Sequence, residues 1–446
     1  MKPTTKDAYK LLHDGMLALA RVEEVGMCID LDLMDRTIEE TKERVKVLNT
    51  ALQDSEEWRV WRKRYGAKSN LGSRTQLGKI LFEILNHTPL SKTKTGRGQV
   101  DVDCLAKIDT DFTRNYISVE KLKKLLSTYL VGIRREVCDG LLHPSFNLHL
   151  VRTYRSSSSN PNFQNIPIRD AEIGKLIRSC FVPRKGHTLV EIDYGALEFR
   201  ICACFHRDKK MVDYACNPQL DIHRDMAAEC YCLNKAQVTK QARFHAKNCF
   251  VFPTIYNSYY RNTARNLWNA IDESALKTVD GVPLRKHLKS KGIDFNNYEE
   301  HIKRVEEKFN RKFPTWSNHK ETWWNNYIEN GSFDLMTGFR MSGIYTRNQV
   351  ANIPIQGPAF HCLLWSLIQM VKWLSKTKMK SHIIGQIHDS IVADVHNSEL
   401  SDYLQKAKQV MTEDVREHWP WIITDLQIEA EASDVNWYEK KPIEIA

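Results

Sequence analysis

Two aspartates that lie far apart in the chain each come at the end of an apolar run. Asp193 ends T-L-V-E-I-D (188–193), which is typical of a β-strand, and Asp389 lies within I-I-G-Q-I-H-D-S-I-V-A-D-V (383–395). The second run predicts two strands joined by a tight turn at His388 and Asp389. If folding brings the two carboxylates together, they suit a pair of Mg²⁺ ions, which bind carboxylate and phosphate oxygens, activate an attacking hydroxyl and stabilise leaving pyrophosphate. The alternative is that each aspartate only caps a turn.

A basic pair could hold a phosphorylated substrate. Arg243 and Lys247 are four residues apart and therefore share one face of a predicted helix. Fixed cations on such a face can grip a triphosphate and neutralise the charge that develops during transfer. His223, in L-D-I-H-R-D-M-A, could add a third phosphate donor. The alternatives are a solvated basic face and a structural histidine.

The segment after Lys247 does not fit a regular helix. It reads A-K-N-C-F-V-F-P-T-I-Y-N-S (246–258), and at 100° per residue Phe252 is turned away from the stripe of Arg243 and Lys247. Pro253 also cannot donate a backbone hydrogen bond to Cys249. We therefore predict a π-bulge or kink between Cys249 and Pro253 that returns Phe252 and Tyr256 to the face of Lys247. The alternative is a helix that stops before Pro253.

Composition indicates a large folded protein. The chain has 446 residues, of which 42% are hydrophobic and 10% aromatic, enough for one multi-lobed enzyme or two to three domains. The net charge of +10 suits a polyanionic partner without requiring one. Eleven cysteines without any C-x-x-C pair indicate reduced thiols rather than zinc ligands or disulfides. With neither a signal peptide nor a long apolar stretch, we expect a soluble, intracellular protein without membrane contact.

The N-terminal third of the chain is predicted to be mainly helical. Apolar residues recur at helical spacing over 9–51, with a break at Gly26, and predict two helices. Ser73 is a candidate N-cap for T-Q-L-G-K-I-L-F-E-I-L, and the basic run S-K-T-K-T-G-R-G-Q (91–99) predicts a loop that could touch a phosphate backbone. The Lys- and Glu-rich segment 270–312 is typical of a solvated helix.

Several stretches resemble a known family. The run V-E-I-D-Y-G-A-L-E-F-R (190–200) resembles motif A of family A DNA polymerases. The pattern R-x-x-x-K followed by F-x-x-x-Y resembles motif B, and Q-I-H-D-S (386–390) resembles motif C. The resemblance extends over nearly the whole chain through R-S-S-S-S-N-P-N-F-Q-N-I-P-I-R (155–169), N-I-P-I-Q-G (352–357) and D-V-N-W (434–437).

This resemblance implies an α+β, right-hand polymerase fold over residues 1–446, with a palm built on an antiparallel sheet. The expected subdomains are a helical thumb (30–135), a palm in two parts (136–220 and 346–446) and helical fingers (221–345). The implied activity is Mg²⁺-dependent, template-directed addition of dNTPs to a primer 3′ end with release of pyrophosphate, by a DNA-directed DNA polymerase. Two Mg²⁺ ions, which Mn²⁺ can replace, primer–template DNA and dNTPs are the implied cofactor and partners of a monomer.

The same resemblance implies a role for individual residues. The metal ligands would be Asp193, Asp389 and the backbone carbonyl of Tyr194. Three residues would bind the triphosphate, namely Arg243, Lys247 and His223, and Lys247 could also protonate the leaving pyrophosphate. Phe252 and Tyr256 would stack near the nascent base pair, and Glu198 would crowd a ribose 2′-hydroxyl. The residues implied to contact primer or template are Arg155, Asn165, Gln356, His388 and Lys124.

The chain departs from the family pattern at several positions. Ser390 replaces the usual Glu of motif C, which removes one carboxylate from the metal site. The gap from Lys247 to Phe252 is five residues rather than four, while Pro253 and Asn257 replace usual glycines. V-F-P-x-x-Y together with H-D-S resembles a phage-encoded subgroup.

Other functions stay open at this stage. Because the chain begins just before the first palm helix, we expect no 3′–5′ exonuclease in it, and a separate exonuclease or processivity factor could be a partner. A single-subunit RNA polymerase relative is one alternative, which Glu198 argues against. A non-catalytic DNA-binding scaffold is another, but it would not need both aspartates and the Arg–Lys pair.

Overall fold

The computed structural model describes residues 2–90, 92–93, 95–168 and 170–445. Its N-terminal part is helical, as the spacing of apolar residues predicts. The helices here are α1 (Thr5–Val25), α2 (Leu31–Asp54), α3 (Glu56–Tyr65), α4 (Arg74–Gly78), α5 (Val102–Ile108), α6 (Asp111–Lys124) and α7 (Val131–Glu136). Ser73 caps α4, as predicted, by accepting a hydrogen bond from the Gln76 backbone N–H at 3.3 Å. The break at Gly26 is also confirmed, and there the chain enters a short strand, β1 (Met27–Cys28).

A five-stranded antiparallel sheet forms the centre of the molecule. Its strands are β6 (His187–Tyr194), β9 (His382–Ile387), β10 (Ser390–His396), β11 (Ile428–Ser433) and β12 (Lys441–Ile443), in the spatial order β12-β11-β6-β10-β9. The smaller sheets contain β1, β2 (Val137–Cys138), β3 (Leu141–Leu142), β4 (Ser145–Asn147), β5 (Ser157–Ser159), β7 (Ser332–Asp334) and β8 (Arg340–Ser342). The expected α+β class is therefore confirmed, as are the strand that carries Asp193 and the hairpin that carries Asp389.

Helices follow in two groups after the first strands. The helices from 171 to 330 are α8 (Ala171–Arg178), α9 (Leu197–His206), α10 (Lys209–Cys216), α11 (Ile222–Cys230), α12 (Lys240–Ala246), α13 (Phe252–Ile255), α14 (Tyr260–Glu273), α15 (Leu284–Ser290), α16 (Phe295–Lys312) and α17 (Pro314–Asn330). The C-terminal group is α18 (Arg347–Thr377), α19 (Leu400–Lys408) and α20 (Val415–His418). The segment predicted as helical fingers also holds the β7–β8 hairpin.

Helix α18 is the central support of the sheet. It is 31 residues long and mostly buried, and it packs against α1 and α9 as well as against β10. The approach of α1 is close, because a Cβ built at Gly15 would lie 2.9 Å from a Leu364 methyl carbon. A larger side chain at Gly15 would push the two helices apart, so the small residue lets α1 cover the core.

Among the residues that the structure describes, four helical segments have π geometry with i to i−5 hydrogen bonding, at Lys79–Ile84, Leu125–Leu130, Lys247–Val251 and Gln409–Asp414. All eleven cysteines lie in the described part of the chain, and each is a free thiol. Within the described ranges, no helix combines the length and the apolar character needed to cross a bilayer.

Candidate active site

The two predicted aspartates lie next to each other at one end of the central sheet. Strands β6 and β10 pair antiparallel with Asp193 opposite Ser390, and the Tyr194 backbone N–H donates to the Asp389 carbonyl at 3.3 Å. His388 turns the chain with a φ of 49°, which makes the tight reversal that presents Asp389. The strand end and the hairpin turn therefore place both carboxyl groups in one cleft.

The surroundings of the pair perturb the carboxyl group of Asp193. Although part of its side chain is open to solvent, desolvation by the surrounding protein and, next, the charge of Asp389 raise the pKa of its carboxyl to about 8. Two carboxylates this close share either a proton or a cation. In the described part of the chain, no group of three or more His, Cys, Asp and Glu side chains forms a metal cage. This donor set fits Mg²⁺, which takes one or two protein carboxylates and completes its shell with water and substrate phosphates.

A buried glutamine supports the hairpin that carries Asp389. The Gln386 side-chain amide donates to the His388 carbonyl at 2.8 Å, and its oxygen accepts from Ser156 at 2.6 Å and from Gln164 at 2.8 Å. These bonds tie the turn to the 155–165 segment, which also carries Arg155. Sequence reasoning missed this network, although a Gln inside an otherwise apolar strand was a signal for it.

A second support involves Glu191, which lies one β-strand repeat before Asp193. Ser390 Oγ lies 3.0 Å from Glu191 Oε1 and 3.0 Å from the Ile387 carbonyl, so it can donate to either. Glu191 Oε2 accepts from Trp437 Nε1 at 2.9 Å and from Lys440 Nζ. Burial alone would raise the pKa of Glu191, but the charge and hydrogen bond of Lys440 hold that pKa below its ordinary value. The sequence-based interpretation did not find Glu191 or Lys440.

The predicted π-bulge is confirmed. It spans Lys247–Val251, beginning two residues earlier than predicted, and the Phe252 backbone N–H donates to the Lys247 carbonyl five residues back. The rings of Phe252 and Tyr256 are nearly parallel, at 17°, with centroids 6.2 Å apart. Lys247 Nζ lies 5.6 Å from the Phe252 ring centroid, which places the lysine and both aromatic rings on one side of the helix.

The other two predicted phosphate-binding residues adjoin this helix. Arg243 Nε donates to Asp221 Oδ2 at 2.6 Å, and the Asp221 side chain also caps α11 through the backbone N–H groups of His223 and Arg224. The His223 ring lies 5.8 Å from that of Phe252. Burial, followed by the charges of Arg243 and Lys247, lowers the pKa of His223 to about 4, so its imidazole is neutral near pH 7. Its Nδ1 is buried and has no hydrogen-bond partner among the described residues.

Glu198, in the first turn of α9, connects strand β6 to the helix that carries Lys247, Phe252 and Tyr256. The Tyr256 hydroxyl donates to Glu198 Oε2 at 2.5 Å, and Arg155 Nη1 lies 3.4 Å from Glu198 Oε1. Burial and then the Glu198 charge raise the pKa of Tyr256 above its ordinary value, while a hydrogen bond with Gln356 opposes the shift. Four predicted site residues thus form one contact chain from α18 to α9: Arg155, Glu198, Tyr256 and Gln356.

The remaining predicted residues lie on other elements. The Asn165 carbonyl accepts from the Tyr129 hydroxyl at 3.1 Å, and Lys124 is the exposed last residue of α6. The Tyr194 ring is buried against α18, where its hydroxyl lies 3.0 Å from Ser366 Oγ, so only its backbone adjoins the two aspartates. In the basic loop 91–99, Lys92 pairs with Gly98, while positions 91 and 94 lie outside the described residues.

The fold is that of a polymerase domain. With 22% sequence identity, the chain superposes at a TM-score of 0.76 on the POL domain of Pol1 from M. smegmatis, solved in complex with DNA primer–template and dNTP. The match covers 96% of this chain and 70% of that one. The expected right-hand polymerase fold is confirmed by this likeness.

The family model for DNA polymerase family A matches residues 38–439, which include every candidate site residue, and the chain belongs to that family. Its relatives include DNA polymerase I of Caldicellulosiruptor bescii, 29% identical over 95% of this chain and 46% of that protein. DNA polymerase I of Lactococcus lactis is 29% identical over 95% of this chain and 45% of its own length. The DNA polymerase of Bacillus phage SP01 is 26% identical over 86% of this chain and 42% of that protein. The assignment of this chain to a phage subgroup stays a prediction. The chain spans about half the length of these relatives.

Proposed function

We propose that this chain is a DNA-directed DNA polymerase, which adds dNTPs to a primer 3′ end as directed by a template and releases pyrophosphate. The observation that carries this proposal is the meeting of Asp193 and Asp389 in one cleft, linked through Glu198 to the helix of Lys247, Phe252 and Tyr256. The family, the relatives named DNA polymerase I and the fold shared with a primer–template complex support it.

Asp193 and Asp389, with the Tyr194 carbonyl, would hold two Mg²⁺ ions. When bound, these ions supply activation of the primer hydroxyl and stabilisation of the leaving pyrophosphate. Both carboxylates would have to be ionised to hold a cation, so Asp193, whose pKa is raised, would have to lose its proton first.

The helix face would bind the incoming nucleotide. Lys247 and Arg243 hold the triphosphate by charge, and Lys247 gives a proton to the pyrophosphate oxygen as it leaves. His223, neutral at pH 7, contributes a ring N–H rather than a charge. Phe252 and Tyr256 offer flat apolar surfaces for the new base pair, and Glu198 crowds the position of a 2′-hydroxyl, which favours deoxynucleotides.

Primer–template DNA would lie across the palm between the helical lobes. Gln356 and Arg155, next to Tyr256 and Glu198, would contact base pairs from the minor groove, where every correct pair presents acceptors. Asn165 and His388 would contact the strands near the primer end, and Lys124 would contact the duplex backbone. In this arrangement residues 30–135 are the thumb, 221–345 the fingers, and 136–220 with 346–446 the palm of a monomer in the cell interior.

Primer extension tests the proposal. Wild type should extend a labelled primer with dNTPs and Mg²⁺, and Asp389→Asn should reduce extension by at least about a thousandfold, because it removes half of the carboxylate pair. Asp402→Asn, which changes an exposed acid in the first turn of α19, is the matched control and should extend normally. Extension by Asp389→Asn at the wild-type rate would overturn the metal assignment. Extension with ribonucleotides in preference to deoxynucleotides would instead favour an RNA polymerase.

A further inference from the structure

The contacts of Glu191 occupy both of its carboxylate oxygens. Oε1 faces the Ser390 hydroxyl, while Oε2 accepts from Trp437 and Lys440. Both carboxylate oxygens of Glu191 therefore have side-chain partners, whereas a metal ligand needs an oxygen that faces the cation. It joins three separate parts of the chain: strand β6, the β9–β10 hairpin and the segment before β12.

These contacts lie beside the two aspartates. Glu191 and Asp193 are two residues apart on β6, so their side chains share one face of the sheet. Ser390, which follows Asp389 directly in the chain, is paired with Asp193 across β10 and β6, so its side chain lies on this same face. A hydrogen bond from Ser390 to Glu191 consequently fixes the residue next to Asp389 relative to the strand of Asp193.

The same face is strongly acidic. Across the sheet, β11 places Glu429 opposite Asp193 and Glu431 opposite Glu191, and paired residues in antiparallel strands have their side chains on the same face. Lys440 is the cation inserted here: its side chain is only 6% exposed, and its ammonium contacts both Glu191 and Glu431. Arg178 is also near, with its guanidinium stacked 3.9 Å above the Trp437 ring.

We propose that Glu191 and Lys440 are a charge-balanced positioning pair, which holds the Asp389 hairpin against β6 and sets the net charge beside the two-carboxylate site. Glu191, on the strand of Asp193, and Lys440, in the C-terminal segment, form an anchor. Ser390 connects the hairpin to that anchor. This inference rests on the proposed function in one respect, namely that Asp193 and Asp389 bind divalent cations. Neither Glu191 nor Lys440 touches the cation in this arrangement.

The charges predict opposite effects for two single variants. Glu191→Gln removes a negative charge about 7 Å from Asp193 and leaves the Lys440 ammonium less neutralised, so divalent cations should bind roughly tenfold more weakly. Lys440→Met removes the positive charge that holds the pKa of Glu191 down, so the titration is run well above neutral pH, where Glu191 stays ionised and divalent cations should bind several-fold more tightly. The double variant Glu191→Gln/Lys440→Met is neutral at both positions and should return to within about twofold of wild type.

Mn²⁺ binding to the full chain tests the pair without reference to activity. The chain, bound to primer–template with a primer that lacks a 3′-hydroxyl, is titrated with Mn²⁺, and free Mn²⁺ is measured by electron paramagnetic resonance. Lys441→Met changes the exposed neighbouring lysine and should leave the affinity unchanged. Thermal melting of each variant reports folding separately, and the double variant supplies the comparison if one single variant does not fold.

The outcomes separate this inference from the proposed function. If wild type shows no Mn²⁺ site that Asp389→Asn removes, the two-carboxylate assignment itself fails. If that site exists but Glu191→Gln and Lys440→Met shift its affinity in the same direction, or not at all, the charge-balanced pair is refuted and the proposed function stands. Opposite shifts that cancel in the double variant support the pair, because a purely structural role would weaken binding in both single variants.

Discussion

The hydrogen bond from Tyr256 to Glu198 should contribute to discrimination against ribonucleotides. Glu198 Oε2 accepts from the Tyr256 hydroxyl at 2.5 Å, and the second oxygen has only the longer 3.4 Å contact with Arg155. Tyr256→Phe removes the shorter bond and keeps the ring. Glu198 can then swing away from the position where, in the proposed function, it crowds a 2′-hydroxyl.

The size of the effect follows from the kind of bond that is lost. A hydrogen bond to a charged group contributes about 1.5–3 kcal/mol, which corresponds to about 10- to 150-fold in an equilibrium. Because Arg155 still contacts Glu198 in the variant, we expect the lower end, a fall of about tenfold in selectivity. Glu198→Ala removes the side chain itself and should reduce selectivity further.

Single-nucleotide incorporation gives the measurement. The ratio of kcat/KM for a dNTP to that for the matching rNTP is compared among wild type, Tyr256→Phe and Glu198→Ala, with Tyr259→Phe, an exposed tyrosine, as the matched control. The loss should come from faster rNTP incorporation rather than slower dNTP incorporation. Unchanged selectivity in Tyr256→Phe, with a large loss in Glu198→Ala, would refute the idea that this hydrogen bond holds Glu198 in place.

Three further predictions concern other parts of the site. The pKa of His223 is about 4 in the folded chain and near 6.5 when unfolded, so the free energy of unfolding should fall by up to about 3 kcal/mol as the pH drops from 6.5 toward 4. In urea unfolding, His223→Gln should therefore lose less free energy of unfolding than wild type between pH 7 and 4.5. Parallel pH dependences of wild type and variant would contradict this. Lys247→Met should lower single-turnover kcat by about 100-fold or more with an unchanged Kd for primer–template, since the proposed function makes Lys247 a proton donor rather than a DNA contact. A weakened Kd would assign Lys247 to DNA instead. Lys124→Ala should reduce the slope of log Kd against log salt by about 0.9, the contribution of one duplex phosphate contact, and an identical slope would exclude that contact.

The sequence predicted the parts of the site that depend on local pattern. An apolar run that ends at Asp193, an apolar hairpin around Asp389 and the five-residue gap from Lys247 to Phe252 each indicate backbone geometry directly, and the structure has the strand, the hairpin and the π-bulge. The break at Gly26 and the cap at Ser73 are equally local signals.

Contacts between residues far apart in the sequence could not be predicted from local sequence patterns. Lys440 is one of 65 basic residues, and nothing in its surroundings indicates that it contacts Glu191 across 249 residues. The ion pair of Arg243 with Asp221 and the three-way contact of Gln386 likewise depend on which elements pack together. Ser390 looked like a lost carboxylate in the sequence, whereas the structure shows an acid on the adjacent strand within hydrogen-bonding distance.

The π-helix at Lys247–Val251 also determines how this chain can be aligned and recombined with its relatives. Where a relative has the four-residue spacing that the family resemblance implies, the extra residue of this chain is absorbed within that one turn, so the alignment gap belongs between Lys247 and Phe252. A gap placed after Pro253 would pair Phe252 with a position rotated by about 100°. A chimera should therefore exchange residues 247–256 as one block, because a crossover inside the block would join two helices of different phase and separate the lysine from its aromatic neighbours.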